Sequence, residues 1–344
     1  MVDAHIAVLL PTYEPYPPFL TETLDSLLRQ TEQRWSCLIH DDASTVDVRA
    51  IVEPYLSAPR ITFARNPRRL GIGGNWNACL GEARRAKPDI PFIQFLFQDD
   101  LWHPRYLERS CAVLQEHPDI GFVASAHVYH VMGRMETAEG YRRLEEEKKS
   151  RLAPGRHDGI VFLRNWLWRG LEQNIIGEPS FVMMRRSLVE EVGPFFQDLH
   201  QLLDVEYWVR ALLKAHWYYL PEELGIFRVH RKGASYLHFL RGEQMGEHLH
   251  LLERLRSILP VGTSEREQLE SSLDERFSVI IKHVVNRCIR RQSIGTGAWP
   301  VLRHFQKHPA AACRGMRLYA AQASKRWYKK MRSAHRSKAY RSIA

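Results

Sequence analysis

The amino-terminal part of the chain alternates short apolar runs with amphipathic stretches. Apolar runs that end at proline or at polar side chains predict strands at residues 6–11, 35–42, 60–66 and 90–100. Apolar residues at helical spacing predict helices between these strands, at 19–31, 46–56 and 75–86. Strands that alternate with helices predict an α/β fold built on a parallel, doubly wound sheet.

The middle of the chain continues this pattern around a charged interruption. Residues 133–158 are rich in charge and poor in apolar side chains, so we expect a surface excursion there, with scope for mobility. On either side, the pattern predicts a helix at 104–120, a strand at 121–131, a helix at 162–171, a strand and a helix within 177–195, and an amphipathic helix at 203–215.

Polar residues follow three of the predicted strands. They are Thr12-Tyr13-Glu14, Asp41-Asp42 and Asp99-Asp100. In open parallel sheets ligands bind beyond the carboxyl ends of the strands. We therefore expect a binding site at this edge of the sheet.

Composition favours a folded protein without membrane spans. The chain has 344 residues, of which 44% are hydrophobic, and no apolar run reaches the roughly 18 residues that cross a bilayer. The first residues lack a basic segment, and we interpret them as the first strand and not as a signal peptide. The five cysteines are scattered without metal spacing, which favours reduced thiols in a cytoplasmic protein.

The positive charge is concentrated at the carboxyl end. Residues 277–344 contain 16 Lys or Arg and no Asp or Glu, while the rest of the chain has 33 basic and 39 acidic side chains. This tail also contains Trp327, Tyr328 and Tyr340. Three interpretations remain open: a solvated tail, binding to an anionic membrane surface, and binding to nucleic acid.

The paired carboxylates have two interpretations each. Asp99 and Asp100 are either a solvated pair at a strand end or ligands of a divalent cation that shares its shell with phosphates. Asp42 either accepts hydrogen bonds from a ribose or base edge or caps the next helix, where Ser44 or Thr45 would also serve.

Further candidates follow along the chain. RRLGIGGNWN is not a dinucleotide fingerprint, but it suits a glycine turn before a helix, with Arg69 available to a phosphate. Asp204 shares a helix face with Trp208 and is the candidate general base, whereas Glu206 is spaced for a salt bridge with Arg210.

Taken in order, the motifs resemble those of the inverting glycosyltransferase family 2, which has the GT-A fold. They are IAVLLPTYE, IHDDAST, NPRRLGIGGNWN, FLFQDDLWHP, GEPS, LLDVEYWVRAL and FRVH, and together they span about residues 4–235. The resemblance implies a GT-A domain at 1–236, which leaves 237–344 as a helical, basic extension.

The resemblance also implies roles for individual residues. The nucleotide pocket would be formed by Pro11, Thr12, Tyr13, Glu14, Asp42 and Arg69. Asp99 would hold Mn²⁺ or Mg²⁺ at the diphosphate, with His230 beside it, and Asp204 would be the catalytic base. The donor sugar and the acceptor would meet Asp100, Glu178, Pro179 and Ser180.

Two positions depart from the family pattern. The acid–x–acid triplet is Phe97-Gln98-Asp99, so its first carboxylate is missing and metal dependence is in question. Leu203 replaces the acid that often precedes the base. A catalytically silent GT-A-like protein that binds nucleotide-sugars or glycans is therefore the alternative to an active enzyme.

The expected activity is inverting transfer of a sugar from a nucleotide-sugar to a glycan or lipid-linked hydroxyl, for a cell-surface polysaccharide or glycolipid. The family resemblance favours a cytoplasmic enzyme whose tail meets the inner face of the membrane. Nucleic acid is not expected as a partner.

Overall fold

The computed structural model describes residues 5–86, 88–133, 137–171, 173–241 and 244–289, together with residues 306, 309, 313–321 and 323–324. Within them the chain divides into two compact units. One unit contains the residues up to Asn165 and Leu171–Leu240; the other contains Trp166–Gly170 and the residues from Arg241 onward. The division into domains at residues 236 and 237 stays a prediction.

The first unit is built on one mixed sheet. Its strands are β1 Ile6–Thr12, β2 Trp35–Asp41, β3 Ile61–Arg65, β4 Phe92–Phe95, β5 Leu101–Trp102, β6 Ile120–Val131, β7 Gly155–His157, β8 Val182–Arg185 and β9 His216–Val229. The helices are α1 Pro17–Leu28, α2 Val48–Val52, α3 Ile72–Ala86, α4 Tyr106–Glu116, α5 Ala138–Arg151, α6 Gly159–Trp168, α7 Arg186–Val192, α8 Leu203–Leu212 and α9 Ala234–Arg241. Helices α6 and α9 reach the boundary with the second unit.

The strand order is β3-β2-β1-β4-β8-β6-β9-β5, with β7 paired to β9. Pairing is parallel from β3 to β4 and between β6 and β9, as predicted. Strand β8 joins β4 and β6 in antiparallel orientation, and β5 and β7 also pair antiparallel. The expected α/β sheet flanked by helices is confirmed. The strand predicted within 177–195 is β8, whereas no periodicity in the sequence indicated β5 and β7.

The core explains why the apolar runs become strands. All residues of β1 are buried, because helices and neighbouring strands cover both faces of a parallel sheet. Helix α1 begins at Pro17, whose missing N–H costs nothing at the first turn. Helix α2 is capped by Asp47, which accepts from Ala50 N at 3.1 Å, so the prediction that Ser44 or Thr45 caps it is wrong.

The glycines around the start of α3 have structural reasons: Gly71, in the turn before the helix, has φ 80°, and Gly73, in the first turn of α3, packs closely. A Cβ atom at Gly73 would lie 2.8 Å from the carbonyl oxygen of Phe196. Only glycine allows this close approach without a shift of the backbone. The turn therefore does not need a dinucleotide to explain its composition.

The charged segment 133–158 contains regular structure. Helix α5 and strand β7 occupy most of it, and β7 pairs with residues 217–219 of β9. Lys148 of α5 is 6% exposed, so one side of this helix is anchored in the unit. The expectation of a mere surface excursion is wrong for this part.

The second unit is helical where it is described. Helices α10 Gln244–Ile258 and α11 Ser264–Ile289 pack against each other through buried leucines. Glu270 of α11 accepts from Arg256 and Arg266, and Arg314 pairs with Asp274 at 2.9 Å. None of the described helices has the length and apolar character to span a membrane. The aromatic and basic end of the tail lies outside the described residues.

Candidate active site

The carboxyl ends of β2, β1 and β4 lie side by side, because these strands are neighbours in the sheet. Pro11 is buried within β1, and Thr12 ends the strand with its hydroxyl 3.3 Å from Asp41 Oδ1. The Oδ2 atom of Asp41 accepts from Ser44 N at 3.1 Å. Asp41 is fully buried and therefore holds the turn after β2 in place.

Asp42 is occupied by the loop that precedes α3. Its Oδ1 accepts from Asn66 Nδ2 at 2.9 Å and from Leu70 N at 2.8 Å. Its Oδ2 accepts from Gly71 N at 2.8 Å. The carboxylate thus orders the loop that contains Arg69, and it does not cap α2.

The turn after β1 is fastened to the turn after β2. Glu14 N donates to Ser44 Oγ at 2.9 Å, while Thr45 N and Oγ1 donate to the Glu14 carboxylate at 2.6 and 3.0 Å. Both turns contain a residue in the left-handed region, Glu14 at φ 43° and Ala43 at φ 58°. The guanidinium of Arg69 lies 4.2 Å from the centre of the Tyr13 ring.

Gln98 locks the same turn from the β4 side. Tyr13 N donates to Gln98 Oε1 at 2.9 Å, and Gln98 Nε2 donates to the Tyr13 carbonyl oxygen at 3.1 Å. A carboxylate could accept the first of these bonds but could not donate the second. The amide in the middle of Phe97-Gln98-Asp99 therefore has a positioning role.

Asp99 and His230 meet across the sheet edge. Asp99 Oδ2 lies 2.9 Å from His230 Nε2, although the residues are 131 positions apart in the sequence. Arg228 supports this pair, because its guanidinium donates to the Asp99 carbonyl oxygen and forms a salt bridge with Glu22. Arg228 thus fixes the backbone at Asp99 and is not directed to a ligand.

Asp100 is fully buried, so the solvated strand-end pair is wrong for this residue. Burial, reinforced by the Asp99 carboxylate, raises the pKa of Asp100 well above its usual range. Its Oδ1 is 3.4 Å from Arg228 N, while Oδ2 is buried with no hydrogen-bond partner among the described residues. Such an orphaned oxygen indicates a missing ligand or proton.

The segment Glu178-Pro179-Ser180 is held rigidly beside this turn. Phe97 N donates to Ser180 Oγ at 2.8 Å, and Trp102 Nε1 donates to the Ser180 carbonyl oxygen at 2.8 Å. Gln94 Nε2 lies 3.1 Å from the carbonyl oxygen of Pro179. These contacts bring the segment to the same edge as Asp99 and Asp100.

Glu178 lies in a cluster of buried polar side chains. Tyr129 Oη donates to its carboxylate at 3.2 Å, His127 Nε2 lies 2.9 Å from Oε2, and Lys148 Nζ lies 3.9 Å from Oε2. Burial alone would raise the pKa of Glu178, but Lys148 and then His127 outweigh it and lower the value to about 2. Glu178 is therefore a carboxylate at neutral pH.

Asp204 joins this cluster from α8. Its Oδ2 accepts from Asn174 Nδ2 at 2.7 Å. Asn174 also brackets Gly177, donating to the Gly177 carbonyl oxygen and accepting from Gly177 N at 3.0 Å each. The candidate base is thus tied to the backbone just before Glu178. The predicted salt bridge between Glu206 and Arg210 is confirmed at 2.7 Å.

The structure brings all the predicted site residues to one connected edge of the first unit, but several of their neighbours were missed. The sequence did not indicate that Lys148 belongs to the site, because this residue is one of many charged residues in α5. His127, Tyr129 and Asn174 are isolated polar residues without a motif around them. Only the polar interruption of the apolar strand 121–131 pointed to the first two.

A cavity of about 320 Å³ lies elsewhere, around the amino ends of β6 and β9. Its lining includes Asp119, Arg185, Lys214 and His216. None of the residues predicted from the sequence lines it, so we do not assign it to this site.

Asp99, His230 and Asp100 suit a divalent cation in part. Among the described residues there is no group of three or more His, Cys, Asp or Glu that could hold a metal ion. Asp99 and His230 are a pair, and the orphaned Oδ2 of Asp100 is an oxygen of the type that Mg²⁺ and Mn²⁺ prefer. Two protein ligands are adequate when substrate phosphates complete the shell.

A sheet with helices on both faces, polar turns at the carboxyl ends of β1, β2 and β4, and a buried acid on α8 define a GT-A glycosyltransferase fold. The sequence model for "Glycosyl transferase family 2" matches residues 7–193, more than half of the chain. The chain therefore belongs to glycosyltransferase family 2, and the resemblance inferred from the motifs is confirmed.

Similar proteins include two curated relatives. The uncharacterized protein MT1568 of Mycobacterium tuberculosis is 31% identical over 223 residues, which are 65% of this chain and 66% of that protein. The succinoglycan biosynthesis protein ExoW of Rhizobium meliloti is 28% identical over 190 residues, 53% of this chain and 58% of ExoW. The matches span less than two thirds of the length of either relative.

A solved structure supports the fold. The mannosyltransferase PcManGT from Pyrobaculum calidifontis, in complex with GDP-Man and Mn²⁺, has a TM-score of 0.56 to this chain at 16% identity. The match covers 94% of this chain and 88% of that one. At this identity the likeness concerns the fold alone.

Proposed function

We propose that the protein is an inverting glycosyltransferase that moves a hexosyl group from a nucleotide-sugar to a hydroxyl of a glycan or glycolipid. The observation that supports this is one connected set of polar and charged groups: the Asp99–His230 pair, the buried carboxyl group of Asp100, and Glu178, Lys148 and Asp204. Transfer of an activated sugar needs groups for the diphosphate and a base for the acceptor within one site. This set offers both.

The nucleotide would bind at the turns after β1 and β2. Tyr13 and Arg69 form a flat cationic and aromatic surface, and the fastened turns at Glu14 and Asp42 keep it in place. Pro11 and Thr12 support it from the end of β1. Because no contact here selects a base, we propose a nucleoside diphosphate without naming its base.

Mn²⁺ or Mg²⁺ would be held by Asp99 and His230. When bound, the cation would neutralise the negative charge that develops on the departing diphosphate. PcManGT, which shares the fold, is in complex with GDP-Man and Mn²⁺, and this supports a divalent ion beside the nucleotide-sugar here. His230 would have to be unprotonated at Nε2 to serve as a ligand.

In the proposed reaction Asp204 takes the proton of the acceptor hydroxyl while that oxygen forms a bond to the anomeric carbon. The bond from the anomeric carbon to the diphosphate oxygen breaks, and the nucleoside diphosphate leaves with the electron pair. Attack from the face opposite the leaving group inverts the anomeric configuration. Asp100, Glu178, Pro179 and Ser180 would line the donor sugar and the acceptor.

The proposed setting is polysaccharide synthesis on the cytoplasmic side of the membrane. ExoW is named for succinoglycan biosynthesis, which supports an envelope or secreted glycan as the product. The basic tail would attract an anionic membrane surface, since each surface Lys or Arg contributes about 1 kcal/mol. The membrane-binding role of this tail is a proposal that rests on the sequence alone.

The test is a transfer assay with the full chain and UDP-, GDP- and dTDP-sugars, with Mn²⁺ or with EDTA. We expect one donor to raise the Tm, and to give product with inverted anomeric configuration by NMR, in the presence of Mn²⁺ only. Donor binding without hydrolysis or transfer would favour the catalytically silent alternative. Retention of configuration would contradict the direct displacement.

A further inference from the structure

Lys148 is a buried charged side chain on a helix that the sequence assigns to the surface. It is 6% exposed, while its neighbour Lys149 on α5 has a side chain that is 63% exposed. Burying an ammonium group is costly unless opposite charge and hydrogen bonds accompany it. The contacts of Lys148 should therefore have a function.

The ammonium group contacts Tyr129 and lies close to Glu178. Its Nζ donates to Tyr129 Oη at 2.8 Å and lies 3.9 Å from Glu178 Oε2. Burial lowers the pKa of Lys148, while Glu178 and Asp204, in that order, raise it. The attraction is mutual, so the ammonium group favours the ionised form of both carboxylates.

Other groups face the same cluster. From β6, His127 lies beside Glu178, but burial and then Lys148 lower the pKa of His127, so it is neutral near pH 7. Tyr129 and Tyr141 are uncharged there, since burial raises the pKa of both phenols. Glu145 on α5 adds a further negative charge. Lys148 thus supplies the positive charge next to Glu178.

We propose that Lys148 is a positioning residue of the transfer reaction: its buried ammonium group, which donates to Tyr129 and lies 3.9 Å from Glu178, supplies the positive charge that stabilises the carboxylates of Glu178 and of Asp204, the group that would receive the acceptor proton. This inference rests on the proposed function for the role of Asp204. It also gives α5, which belongs to no motif, a direct connection to the site.

The test compares K148M, which keeps the length of the side chain, with K149M as the matched control on the same helix. We expect K148M to lower kcat about 10-fold at pH 6 and to move the acid limb of the kcat profile up by about one pH unit. The donor KM should change less than about 2-fold, because Lys148 contacts Tyr129 and Glu178 and not the turns after β1 and β2. K149M should match the wild type.

The double variant K148M/E178Q separates two explanations. If Lys148 acted only by compensating Glu178, removing both charges would restore the wild-type pH profile and contradict the proposal. If Lys148 acts on Asp204, the acid limb of the double variant stays displaced.

A second measurement does not depend on activity. Without Lys148, burial favours the protonated form of Glu178, whereas unfolded Glu178 is ionised at neutral pH. The Tm difference between the wild type and K148M should therefore widen from pH 5 to pH 8. The Tm difference between the wild type and K149M should not change over this range. A pH-independent difference would overturn the inference whatever the activity. Absence of transfer by the wild type would instead contradict the proposed function.

Discussion

At the ends of β1 and β2, carboxylates accept hydrogen bonds from backbone N–H groups, as Asp42 does from Leu70 and Gly71. Around β6, α5 and α8, carboxylates instead face the buried ammonium group of Lys148. After their proposed roles, we refer to these regions as the nucleotide side and the acceptor side. Backbone hydrogen bonds fix a shape at modest net energy, whereas a buried ion pair makes a site depend on protonation. We therefore expect donor binding and sugar transfer to respond to different changes.

The largest expected effect separates the two sides directly. D204N keeps the shape of the side chain but removes the proton acceptor, so kcat should fall about 10²- to 10⁴-fold. The Kd of the donor, measured by titration calorimetry, should stay within about 2-fold. The base is expected to act in the transition state and not in ground-state binding of the donor.

The matched change on the nucleotide side is D42N. It places an amide N–H₂ opposite backbone donors, and the loop with Arg69 should loosen. Here the donor Kd should rise while kcat at saturation changes little. Equal losses of kcat in D42N and D204N would break the comparison.

A smaller effect is expected for Q98E. The carboxylate still accepts from Tyr13 N but cannot donate to the Tyr13 carbonyl oxygen, and losing one such bond costs about 1 kcal/mol. The donor Kd should therefore rise about 5-fold, with kcat at saturation unchanged. Stronger dependence of activity on Mn²⁺ in Q98E would mean that residue 98 faces the diphosphate, contrary to its contacts.

The smallest expected effect is a gain in stability for A43G. Ala43 has φ 58°, a conformation that glycine adopts without the cost that a Cβ brings. The free energy of unfolding should rise by about 1 kcal/mol, with a Tm shift of about 2–4 °C and unchanged kcat. A112G, in the interior of α4, should lower the Tm instead. An equal loss of stability in both variants would argue against strain at Ala43.

The nucleotide side was largely predictable from sequence. Thr12, Glu14 and Asp42 directly follow apolar runs, and parallel neighbouring strands bring their carboxyl ends together. The position of Asp204 followed from helical spacing and from the family motif. The approach of His230 to Asp99 came only from the resemblance, because a separation of 131 positions leaves no local pattern.

The acceptor side was only partly predictable. Lys148 and Lys149 are adjacent in a run of charges, and no periodicity tells which of them is buried. Asn174 works through two backbone bonds to Gly177, which leave no trace in the composition. Strands β5 and β7, of two and three residues, are too short for an alternation to appear.

Strand β9 spans 14 residues, with β7 against its first part, register irregularities against β6 in its middle, and His230 directly after its last residue. Side chains on a strand change faces at every step, so a slip of one position would turn the imidazole away from Asp99. If segment 133–158 is replaced by the equivalent segment of a homologue, the pairing of Gly155 in β7 with Tyr219 in β9 has to be kept. Segment replacements that are designed to change the acceptor should therefore preserve this strand pairing.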